Sequence, residues 1–178
     1  MITDDILIAT NTTKDVGIEG VLITPLKQFK DDRGSVMKII DDDLYDDDDN
    51  YKPNTNEIAE VYLSTIKPGV VKGWHGHKFM TLNYVCIVGR IIVGLCDLRE
   101  GKTYGKIAAV YLDDVDHYRM LTIPPGVWNG FRIHPDSDLS PGILLNAASH
   151  VHSLDEIERI HPREFPIPFD WGDYEIAG

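Results

Sequence analysis

Gly69-Val70-Val71-Lys72-Gly73-Trp74-His75-Gly76-His77-Lys78 is the stretch on which the fold turns. Successive side chains of a strand alternate between its faces, so two histidines at i and i+2 point the same way. If that face is the inside of a barrel, both imidazoles meet at one point. Glycines flank the pair and lysines stand at 72 and 78, so these are polar surroundings and not an apolar core.

Outward from this stretch the chain reads as strands. Residues 21–29, 35–40, 58–66, 82–88, 90–96, 108–112, 118–123, 130–133 and 142–148 form short runs rich in Val, Ile, Leu and Tyr. Each is bounded by Gly, Pro, Asp or Asn, as strands of a meander or sandwich are. Only 153–159 has a helix-like start, with Ser153 as N-cap and Glu156 three residues on. So many strands in 178 residues predict an all-β fold, a double-sheet jelly roll or small barrel. A hydrophobic content of 43% over this length suits a single domain, 1–178. Its expected parts are an N-terminal arm and acidic loop (1–50), a barrel core (51–150) and a C-terminal segment (151–178). Residues 41–50, DDDLYDDDDN, hold seven Asp in ten positions. They lack the glycine and terminal glutamate of a calcium loop, and mutually repelling carboxylates predict a solvated loop.

Charge narrows the partners. Lys plus Arg number 17 against 29 Asp plus Glu, a net −12. A sheath of that sign repels phosphate backbones and anionic bilayers, so neither nucleic acid nor membrane is an expected partner. A phosphate-bearing ligand would have to be small and held by a local group of cations. No apolar run approaches the ~20 residues of a membrane span. Met1-Ile2-Thr3-Asp4-Asp5 lacks the basic start of a signal peptide. Cys86 and Cys96 lie in apolar stretches, which predicts reduced thiols and a cytoplasmic location.

The region around His75 resembles the first motif of the cupins, in which a glycine is followed six residues later by His-x-His. Gly69, His75, His77 and Gly89 match its spacing, and Pro124-Pro125-Gly126-Val127-Trp128-Asn129 echoes the second motif. Metal cupins use three histidines and a glutamate. Here the glutamate position falls on Thr81 or Leu82 and the later histidine on Asn129. Two neutral nitrogens without a carboxylate hold a divalent metal weakly, so neither metal nor cofactor is expected.

Further stretches resemble one metal-independent branch, the dTDP-4-dehydrorhamnose 3,5-epimerases and their sugar-nucleotide relatives. They are Asp31-Asp32-Arg33-Gly34, Asp97-Leu98-Arg99 with Thr103-Tyr104-Gly105, Ile123-Pro124-Pro125-Gly126 with Gly130-Phe131, and Ile167-Pro168-Phe169-Asp170-Trp171. The resemblance implies a cupin-type antiparallel jelly roll (a double-stranded β-helix) with an N-terminal arm. It also implies a homodimer and a nucleotide-diphosphate sugar as substrate. Inverting a carbon beside a ketone needs a base on one face, help for the enolate, and an acid on the other face. The family's base maps onto His75, the arginine before it onto Lys72, and the arm arginine onto Arg33.

The departures from the family lie on the donor side. A lysine position falls on Leu82, a histidine on Asn129, and the strand that should carry the acidic tyrosine offers only Leu144 and Leu145. Tyr84 shares strand parity with Leu82 and is a candidate for the same cavity. Glu164 is the nearest carboxylate to where the family places the aspartate that polarises its base. The candidate set is therefore His75, His77 and Tyr84 for catalysis, with Arg33, Lys72, Asn129 and Glu164 for substrate. Three readings follow. One is a 4-keto-sugar epimerase with an altered acid side, inverting a single carbon. Another is a 3,4-ketoisomerase, since those enzymes resemble this chain at Arg-Gly-x-His-Ala-His-Lys. The third is a non-catalytic sugar-nucleotide-binding cupin.

Overall fold

The structure, a computed structural model, describes residues 14–40, 58–137, 140–172 and 175–177, so the acidic run 41–50 lies outside the described residues. The strands are β1 (Lys14–Asp15), β2 (Leu22–Pro25), β3 (Gln28–Asp31), β4 (Gly34–Met37), β5 (Glu60–Ile66), β6 (Val70–His77) and β7 (Leu82–Val88). There follow β8 (Arg90–Asp97), β9 (Ile107–Asp113), β10 (Arg119–Ile123), β11 (Val127–Ile133), β12 (Gly142–Ala148), β13 (Ile157–Arg159) and β14 (Glu175–Ala177). They make two facing sheets, β1-β2-β10-β7-β12-β5 and β13-β6-β11-β8-β9, with β14 parallel to β6 and β3-β4 as a separate hairpin. The expected all-β jelly roll is what forms. No helix among the described residues is long and apolar enough to cross a membrane.

Residues 153–159 are a correction to the sequence reading. They form a turn and then β13, which pairs antiparallel with β6 through Ile157↔His77 and Arg159↔His75. Seven residues are too few to repay helix nucleation in isolation, and the Glu156 side chain goes to His77 instead of back to a cap.

Between the sheets, Ile91, Val93 and Leu95 of β8 pack with Val110 and Leu112 of β9 against Leu121 and Ile123 of β10. Fully burying each such side chain contributes about 2 kcal/mol, enough to hold the sandwich while its other end stays polar. The outer face of β6 is clamped separately. Trp74, wholly buried, stacks on Phe165 with centroids 4.5 Å apart and contacts Phe169 and Trp171. The matched C-terminal stretch therefore closes over the back of the histidine strand. The Asp97-Leu98-Arg99 and Thr103 match is likewise structural. Buried Asp97 accepts from Arg99 N, Nε and Nη2 and from Thr103 Oγ1, while Arg99 Nη2 reaches Glu19 O. Cys86 and Cys96 are buried and unpaired, and burial pushes their thiols up to about 12 and about 11.

Candidate active site

A β-bulge builds the site. Against β11, His75 pairs with Asn129 and Lys72 with Phe131, three residues of β6 spanning two of β11. The extra residue offsets the alternation, so Lys72 and His75 share a face although an odd spacing separates them. Gly73 lies in this bulge, and a Cβ there would lie 2.7 Å from the Gly130 Cα. At Gly76, between the histidines, a Cβ would lie 2.8 Å from the Trp128 indole. Both positions need glycine for close approach.

Lys72, His75 and His77 open into a cavity of about 420 Å³ between the sheets. Facing them from the other sheet are Glu60, Tyr62 and Ser64 of β5, Tyr84 of β7, and Leu144 and Asn146 of β12. Phe131, His152, Ile157 and Arg159 complete the wall. Four of the candidates read from the sequence thus converge: His75, His77, Tyr84 and Lys72. Asn129 is fully buried behind the wall. Its Nδ2 donates to His75 O (3.2 Å), and its Oδ1 accepts from the Tyr84 hydroxyl (3.2 Å). Arg33 and Glu164 are not brought to this cavity. Arg33 is exposed on the β3–β4 hairpin and forks onto Asp31, and Glu164 is exposed on the C-terminal segment.

The electrostatics divide the two histidines. Burial, then the charges of Arg159, His77 and Lys72, pushes His75 down to about 4, so its imidazole is neutral at neutral pH. Burial also lowers His77, but Glu156 pulls the other way. His77 Nδ1 is hydrogen-bonded to Glu156 Oε1, with both side chains buried. That bond puts the proton of neutral His77 on Nδ1 and leaves Nε2 as an acceptor. The carboxylate partner sought at Glu164 is therefore Glu156, and it serves the other histidine. Lys72 Nζ donates to Ser64 Oγ (3.0 Å) and Thr65 O (3.1 Å), and lies 5.8 Å from the Phe131 ring centroid. Burial lowers its pKa. Among the described residues no three His, Cys, Asp or Glu side chains group as a metal site.

The sequence reading missed Tyr62, Glu60, Asn146 and Arg159. Arg159 is paired opposite His75 on β13, a relation that only the strand pairing reveals.

This cavity, with imidazoles on one wall and phenols on the other, can be set beside known proteins. The family model of the dTDP-4-dehydrorhamnose 3,5-epimerases matches residues 15–175. The chain belongs to that family. It is 29% identical over 155 residues, 86% of its length, to a probable low-salt glycan biosynthesis epimerase of Haloferax volcanii, covering 89% of that protein. The same identity and span hold for a spore coat polysaccharide biosynthesis protein of Bacillus subtilis, 96% of which is covered. Among solved structures, a dTDP sugar isomerase from Desulfovibrio desulfuricans superposes with a TM-score of 0.75 at 35% identity, over 87% of this chain and 92% of the other. As a member of the epimerase family the chain is an enzyme, and its fold is the family's cupin barrel.

Proposed function

We propose that the protein epimerises a nucleotide-linked 4-keto sugar of a surface-polysaccharide or glycan pathway, with His75 as general base. The observation that carries this is the cavity itself, where a neutral imidazole on β6 faces phenols from the opposite sheet across a space sized for a hexose. Lys72 supplies positive charge for the enolate oxygen that forms when the α-proton leaves. Arg159 supplies charge for the diphosphate. His77, its tautomer held by Glu156, accepts a hydrogen bond from a sugar hydroxyl. In favour of the pathway, the relatives named above carry glycan and spore coat polysaccharide biosynthesis in their names. The test is proton NMR of a dTDP-linked 4-keto-6-deoxyhexose incubated with the protein. A product inverted beside the ketone is expected, and substrate recovered unchanged would refute the assignment. A 3,4-ketoisomerase is the second reading, supported by two imidazoles on the same wall, and it would show as ketone migration to C3.

A base must be neutral to accept a proton, so activity falls as pH drops through the folded pKa. With His75 pushed down to about 4, the acid limb of kcat/KM is expected near pH 4, well below the ~6.5 of an unperturbed imidazole. A limb at 6 or above would contradict this environment for the base.

The same proposal includes a homodimer. The β3–β4 hairpin stands apart from both sheets with Phe29 and Val36 exposed. On edge strand β5, Val61 and Leu63 are exposed as well. Like subunits that cover each other's edges protect such surfaces. Light scattering should give twice 20.1 kDa at micromolar concentration, and a monomer mass would exclude this arrangement.

A further inference from the structure

From the hydrogen-bond directions around the two cavity phenols we infer that Tyr62, on β5, is the proton donor that replaces the tyrosine missing from β12. This rests on the epimerase reading and adds the acid that the reading lacks.

The two phenols differ in where their hydrogens go. Asn129 Nδ2 donates to the His75 carbonyl, so its Oδ1 is left for Tyr84, and the Tyr84 hydroxyl must donate. Its hydrogen is spent inside the wall, and burial pushes its pKa well up. At Tyr62 the polarity is reversed. The backbone N–H of Asn83 donates to Asn146 Oδ1 (3.0 Å), which turns Asn146 Nδ2 toward Tyr62, where it donates to the phenol oxygen (2.9 Å). Asn83 is fixed in turn by Thr122 Oγ1 and Ala147 O. A backbone amide can only donate, so this chain has one direction and ends by making the Tyr62 oxygen an acceptor. Among the described residues no acceptor holds the Tyr62 hydrogen, which is left for the cavity.

Position agrees with that polarity. Tyr62 pairs with Asn146 across β5 and β12, one strand over from where the family's tyrosine is expected, and belongs to the sheet opposite His75. An imidazole nitrogen of His75 takes the α-proton. The C–H electron pair becomes the C=C of the enolate, and the carbonyl π pair moves to oxygen. On return the carbonyl re-forms, the C=C pair takes the Tyr62 hydrogen on the opposite face, and the O–H pair stays on the phenolate. Asn146 stabilises that phenolate by the hydrogen bond it already donates. Solvent then takes the proton from His75 and returns one to Tyr62, so the cycle is neutral overall.

Tyr62→Phe separates removal from delivery. In deuterated buffer with a dTDP-linked 4-keto-6-deoxyhexose, the variant should keep deuterium incorporation beside the ketone within about threefold of wild type. Inversion at that carbon should fall by at least about 100-fold, because only His75, on the original face, can return a proton. A thermal melt confirms folding, since only a hydroxyl is removed. A variant that inverts at the wild-type rate overturns the assignment of Tyr62 alone. So does one that loses exchange together with inversion, which would place the phenol in proton removal. A wild-type protein that exchanges nothing overturns the epimerase reading and this inference with it.

Discussion

His75→Asn is expected to lower kcat/KM on a 4-keto nucleotide sugar by about 10³-fold, the middle of the range for removing a positioned general base. Asparagine keeps polarity and much of the volume, and among the described residues no side-chain hydrogen bond of His75 holds the fold together, so the loss would be one of chemistry. Steady-state kinetics with a melting curve check it. A residual rate within tenfold of wild type would move the base elsewhere, with His77, held by Glu156, the next group to replace.

Gly73→Ala carries the second large effect, this time on stability. The new Cβ would lie 2.7 Å from the Gly130 Cα and 3.4 Å from the Asn129 carbonyl oxygen. These are backbone atoms of a paired strand and cannot turn away as a side-chain tip would. Forcing a methyl into such a site costs about 3 kcal/mol, and for a chain of this size that is a fall of about 10 °C in Tm. Activity should go with it, because the bulge at Gly73 is what brings Lys72 onto the face of His75. A shift below about 2 °C, with Lys72-dependent activity intact, would mean that β6 and β11 are not packed this closely.

Much of this architecture is legible in the amino-acid sequence. Residues 82–88 and 142–148 read as strands with the same ends as β7 and β12, because Gly89 after the first run and Pro141-Gly142 at the start of the second leave little choice of where a strand stops or begins. Residues 21–29 read as one strand but form parts of two, β2 and β3, which belong to different sheets. The donor side was hidden by β5. A half-buried strand ordinarily turns its apolar residues inward, and on that rule Val61 and Leu63 belong to the core. Here the strand is inverted. Glu60, Tyr62 and Ser64 face the cavity, and Val61 and Leu63 are exposed. A polar cavity reverses the usual alternation, so the pattern pointed away from Tyr62. Glu156 was obscured differently, since Ser153 and Glu156 mimic a capping box in a segment that becomes a turn and a strand beside β6. Nor could spacing place Lys72 with the histidines, because a bulge shows only once the partner strand is known.

The central claim is carbon-acid chemistry at His75, and solvent deuterium tests it most directly. Wild-type protein and His75→Asn are incubated in deuterated buffer with a dTDP-linked 4-keto-6-deoxyhexose, and the C3 and C5 proton signals are followed by NMR. We expect one of these signals to decay with wild-type protein and to persist with His75→Asn. Persistence of both signals with wild-type protein, or equal decay with the variant, would contradict the account.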